Sequence, residues 1–192
     1  EIFFGVASCS WPCWHGITPG VTKSSDALQL LQASPLVSKS TLKTEGSGPE
    51  HGDARWYSEI SEQFLGFMEW QDGVVSLIHL DAYVELSIGE IINKFGPPEK
   101  VYFYNCAEIP ESPPQWCACL YYPKKGFEIM LEWEMIEYKY VDYVQFSPSD
   151  PIHSVHLFEP STLEDWLSYG GINYPPITDL QDWKGYGNIH EL

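Results

Sequence analysis

Apolar positions along this chain fall into two periodicities that alternate along its length. Residues 26–37, DALQLLQASPLV, place Leu and Ala at helical spacing, and residues 87–98, SIGEIINKFGPP, do the same with Ile and Phe. Each helical stretch runs into proline, at Pro35 and at Pro97-Pro98, which ends a helix because proline lacks the backbone donor. Ser87 and Glu90 are spaced as a capping box, and Thr22 with Asp26 offers a hydroxyl cap and a first-turn carboxylate to the first helix. Between and after the helices the period drops to two. RWYSEIS, FLGFMEW and VVSLIHL follow the first helix; QWCACLYY, FEIMLEWEM and HSVHLFEP follow the second. Asp72-Gly73 between two such runs is a strong hairpin signal.

The two series have the same order, a short helix and then three strands. Trp56 and Trp116 open matching strands, and Met68-Glu69-Trp70 matches Leu131-Glu132-Trp133. This self-similarity predicts an α+β fold of two tandem repeats, each with short helices packed on one face of an antiparallel sheet of three to four strands. The two sheets would lie side by side with one face open. The boundaries read as residues 20–82 for the first repeat and 83–160 for the second, with residues 161–192 forming a C-terminal helix and wrap. That helix starts at the S-T-L-E box of residues 161–164.

Strand alternation sorts the faces. Trp56, Ile60, Met68, Trp70, Trp116, Leu120, Leu131 and Trp133 would point towards the helices and build the core. The other face would carry Tyr57, Phe67, Glu69 and His79 from the first half, and Tyr121, Met130, Glu132, His156 and Phe158 from the second. Aromatic, methionine and charged residues mixed on one sheet face suit a protein partner better than bulk solvent.

Composition narrows the function classes. Eight Trp, twelve Tyr and nine Phe supply ample core material, so the chain folds. A net charge of −17 repels phosphate backbones, and nucleic acid is not expected as a partner. No apolar run reaches the length of a membrane span. The serine-hydrolase elbow, phosphate loop, zinc-protease and EF-hand patterns are all absent, so no catalytic residue, metal or cofactor is assigned. His79 and His156, at matching repeat positions beside Glu69 and Glu132, are the one set that suggests metal binding or acid-base work; separated histidines on a sheet are more often plain surface residues.

The cysteines speak to location. Val6-Ala7-Ser8-Cys9 resembles the lipobox of bacterial lipoproteins, with residues 1–8 as signal-peptide remnant, Cys9 as the lipidated residue and residues 9–19 as tether. That leaves Cys13, Cys106, Cys117 and Cys119, an even number. Cys117 and Cys119 share a strand face and would strain to bond each other, so Cys13 pairs with one of them and Cys106 with the other.

LSIGEIINKFGPPEKV resembles the helix-ending glycine-proline signature of the small outer-membrane assembly lipoproteins, and the tandem helix-plus-sheet plan resembles the beta-lactamase inhibitory protein architecture. PCWHGITPGVT, the Leu-rich helix and the closing WKGYG resemble envelope lipoproteins of Chloroflexi-type bacteria. These resemblances imply an extracytoplasmic, non-catalytic protein-binding module, held at the bacterial cell membrane by a lipid anchor, with a protein partner in the envelope. The alternatives are an inhibitor of an extracytoplasmic hydrolase, and a metal-dependent protein built on Cys117, Cys119 and His156.

Overall fold

A computed structural model of the chain describes residues 10–59, 63–81, 86–105, 116–133, 143–169, 179–187 and 189–191. The fold is α+β. Its strands are β1 (Lys43–Gly46), β2 (Gly52–Tyr57), β3 (Phe64–Gln71), β4 (Val74–Asp81), β5 (Lys100–Asn105), β6 (Trp116–Tyr122), β7 (Phe127–Trp133), β8 (Tyr143–Gln145), β9 (Ser154–Phe158) and β10 (Ile189–Glu191). The helices are α1 (Ser24–Ala33), α2 (Ile88–Phe95) and α3 (Leu163–Tyr169). Eight strands make one antiparallel sheet in the order β1-β2-β3-β4-β9-β7-β6-β5, and β10 pairs with β8 separately. The expectation of two sheets side by side is therefore corrected to one sheet. Hydrophobic periodicity specifies which face a strand buries, but leaves open which strand edge it joins.

The chain divides into two compact units: residues 1–84, 124–127 and 155–161, and residues 85–123, 128–154 and 162–192. In the first unit, Trp56, Met68 and Ile78 lie on one sheet face with no exposed surface, through the cross-strand pairs Ala54↔Met68 and Met68↔Ile78. Ala27 and Leu31 of α1 are buried as well, and Trp14 stacks on Trp56 at 5.6 Å between ring centroids. Each large apolar side chain so buried stabilises the fold by roughly 1.5–3 kcal/mol. Trp14 and Ile17 thus belong to the core. The expected core residues Trp70, Leu120 and Leu131 are buried too, whereas Ile60 and the side chains of Trp116 and Trp133 lie outside the described residues.

Local signals explain most element ends. Asp72 and Gly73 both take positive φ, +52° and +74°, the backbone that a two-residue hairpin between β3 and β4 requires. A bulge between Glu69 and Trp70 shifts the register from Glu69↔Leu77 to Trp70↔Val75. It turns Val75 rather than Ser76 into the core, which strict alternation does not anticipate.

The capping box of α2 forms as its spacing predicts: Ser87 N–H donates to Glu90 Oε2 at 2.8 Å, and Glu90 N–H to Ser87 Oγ at 3.4 Å. The α1 cap does not. Lys23 occupies the cap position with no side-chain bond, and Thr22 Oγ1 instead accepts from Thr18 N–H at 2.8 Å. At α3 the cap falls one residue later than expected, with Thr162 Oγ1 accepting from Asp165 N–H at 3.1 Å. Among the strands outside the expected three per half are β1, which is exposed throughout, and the aromatic β5, which pairs with β6.

Candidate functional site

The first unit leaves one sheet face uncovered by its helix. Cross-strand pairing places Asp53 opposite Glu69, Arg55 opposite Phe67 and Phe67 opposite His79 on that face. The Phe67 and His79 rings stack at 4.8 Å and 13°. Asp53, Arg55, Phe67 and Glu69 line a recess of about 320 Å³. Arg55 Nε donates to Asp53 Oδ1 at 3.2 Å, which holds the one cation of the recess beside a carboxylate. Tyr57, 43% exposed, continues the same strand face.

Beside the recess β9 supplies His156. His79 Nδ1 and His156 Nε2 are 2.6 Å apart, and His79 Nε2 is 2.8 Å from Asp81 Oδ1. An ionised carboxylate only accepts, so His79 Nε2 carries a hydrogen. The gap between the two rings then holds a single shared hydrogen, donated either by His156 to a neutral His79 or by a charged His79 to His156. The side chains of His79 and Asp81 are 12% and 13% exposed, so this hydrogen-bonded chain sits largely out of water. Such a carboxylate-histidine-histidine arrangement can relay a proton or present imidazole nitrogens to a metal.

Glu69 keeps access to solvent, yet the protein crowded around its carboxylate raises its pKa above the ordinary 4.5, and the Asp53 carboxylate adds to the rise. His156 and Arg55 pull the other way. The site therefore gathers carboxylates and imidazoles that sense one another.

The second unit closes the corresponding face instead of exposing it. Tyr121 is 1% exposed, and Phe158 of the first unit also 1%, so these two expected partner-binding residues are corrected to core residues. In the second unit α3 also packs on the sheet, its buried Trp166 donating from Nε1 to Glu128 Oε2 at 3.0 Å. Met130 is half-buried, with its Sδ accepting from Tyr104 Oη at 2.9 Å. The Glu132 side chain lies outside the described residues.

Cys9 and Cys106 lie outside them as well. Cys13 and Cys117 each sit in a disulfide, whereas Cys119 is a buried free thiol, which corrects its expected place in a disulfide. Burial pushes the Cys119 thiol well up, and Glu128 nearby pushes it further, against hydrogen bonds involving Tyr121 and Tyr104. Cys119 does not join His156 in any cluster of three or more metal-ligating groups among the described residues.

Sequence reasoning missed Asp53, Arg55 and Asp81. Asp81 carried a usable signal, since it stands two residues after His79 and hence on the same strand face. No helix among the described residues is long and apolar enough to cross a membrane. No protein-family model, curated protein or solved structure matches the chain significantly.

Proposed function

We propose that this chain is a non-catalytic protein-binding module of the bacterial cell envelope, held at the membrane by a lipid on Cys9. Its partner docks on the uncovered sheet face of the first unit. The observation that carries this reading is the set of Tyr57, Phe67, Glu69, His79 and His156 on one face of the sheet, with Tyr57 and Glu69 exposed and the other three half-buried, while Tyr121 in the second unit is buried. A rigid sheet presenting aromatic rings beside fixed charges favours binding, because little side-chain entropy is lost on docking. The carboxylates of Asp53 and Glu69, on a chain of net charge −17, favour a partner with a basic surface.

We read each half as a repeat of one helix and three strands, α1-β2-β3-β4 and α2-β6-β7-β9. The order β2-β3-β4-β9-β7-β6 supports this, because it runs inwards from each end in the same sequence.

The test uses the full chain immobilised through its C-terminus and exposed to envelope extract of the source cells. Tyr57→Ala combined with Phe67→Ala is expected to release a specific basic protein while the circular dichroism spectrum stays native. If the same proteins are retained by the double variant, the docking face is wrong; acyl mass absent from the membrane-fraction protein removes the anchor.

A further inference from the structure

We propose that His79 and His156 form a site for an exchangeable divalent transition-metal ion of the zinc, nickel or copper class. His79 Nδ1 and His156 Nε2 are the ligands, and Asp81 orients the first. The site lies on the docking face proposed above but does not rest on that reading, since binding the ion needs no partner.

The geometry carries the proposal. Asp81 accepts from His79 Nε2–H, so a neutral His79 carries its lone pair on Nδ1, facing His156 Nε2. Metal-ligating histidines almost always make this second bond to a carboxylate or carbonyl, which fixes the tautomer and raises ligand basicity. The Phe67 ring lies against His79 and fixes the plane in which it can move. At tetrahedral zinc, two imidazole nitrogens about 2.05 Å from the metal stand about 3.3 Å apart, so the 2.6 Å gap needs to open by about 0.7 Å. Two side chains reaching from neighbouring strands can supply that by small rotations. The ion would replace the hydrogen the two rings now share.

Among the described residues no group of three His, Cys, Asp or Glu converges as a ligand set. With two histidines as its protein ligands, the ion would be exchangeable rather than structural. Glu69 lies within electrostatic reach of His156 and adds negative potential beside the site. Imidazole nitrogens select zinc, nickel and copper over calcium and magnesium, which take oxygen ligands.

The test titrates chelator-stripped full-length protein with zinc chloride by calorimetry, alongside His156→Gln, His79→Gln and Asp81→Asn. One zinc is expected at this site. Either His→Gln variant lowers its affinity at least tenfold, and Asp81→Asn weakens it about 10- to 100-fold without changing stoichiometry. Nickel chloride added to wild-type protein should broaden the NMR ring signals of His79 and His156 before those of the exposed His51, a readout that holds even if a variant misfolds. Equal zinc affinity in wild type and His156→Gln, or broadening that begins at His51, overturns the proposal.

Discussion

His79 Nδ1 lies 2.6 Å from His156 Nε2, although 77 residues of chain separate the two. Because the two rings share one hydrogen, their energies are coupled. A double-mutant cycle with His79→Ala and His156→Ala should return a coupling energy of roughly 0.5–3 kcal/mol from urea denaturation. Additive losses would mean that the rings act as separate surface groups. Long-range nitrogen correlation spectra should also show a protonated Nε2 on His79, held by Asp81.

This pair tests how far a sequence can be read. The repeat alignment put His79 and His156 at equivalent positions, and strand alternation put both on one face, so their chemistry was half visible. Their contact depends on β4 and β9 becoming neighbours in a single sheet, and edge pairing leaves no mark in a periodic pattern. The same limit explains Tyr121. Tyr121 is buried although alternation leaves its face open, and alternation equally cannot show that α3 brings Trp166 onto Glu128. Helix ends and the Asp72-Gly73 turn were legible because single residues dictate them; the bulge at Glu69/Trp70 was not, since neither residue is a glycine that would announce it.

The bond between Trp166 and Glu128 ties α3 to the sheet of the second unit. Glu128 is 3% exposed, so its carboxylate depends on hydrogen-bond donors to offset lost hydration. Trp166→Phe keeps most of the apolar contact and removes one donor. It should destabilise the protein by about 1–3 kcal/mol in chemical denaturation. A Glu128→Gln background should reduce that loss, since a neutral amide costs less to leave underpaired.

Cys119 should be inert in the folded chain. Its thiol is buried and its pKa is pushed well up, and thiolate is the reacting species. Iodoacetamide at pH 8 is expected to leave Cys119 unmodified in native protein and to label it in denaturant, as read by peptide mass mapping. Rapid native labelling would place the thiol at the surface and undo the closed second face.

Glu69 gives the pH dependence a sign. Its folded-state pKa is raised, so the folded chain holds the proton more tightly than the unfolded chain does, and ionising Glu69 costs stability as pH rises from about 4.5 through the folded value. Below that window the carboxyl is protonated in both states and the cost vanishes. Glu69→Gln should therefore be more stable than wild type at pH 7 and about equal to it near pH 3.5. Because the side chain is exposed, screening keeps the difference below about 1 kcal/mol. Urea midpoints at the two pH values decide it. A variant less stable than wild type at pH 7 would mean that ionised Glu69 gains more from His156 and Arg55 than it loses by crowding and by Asp53.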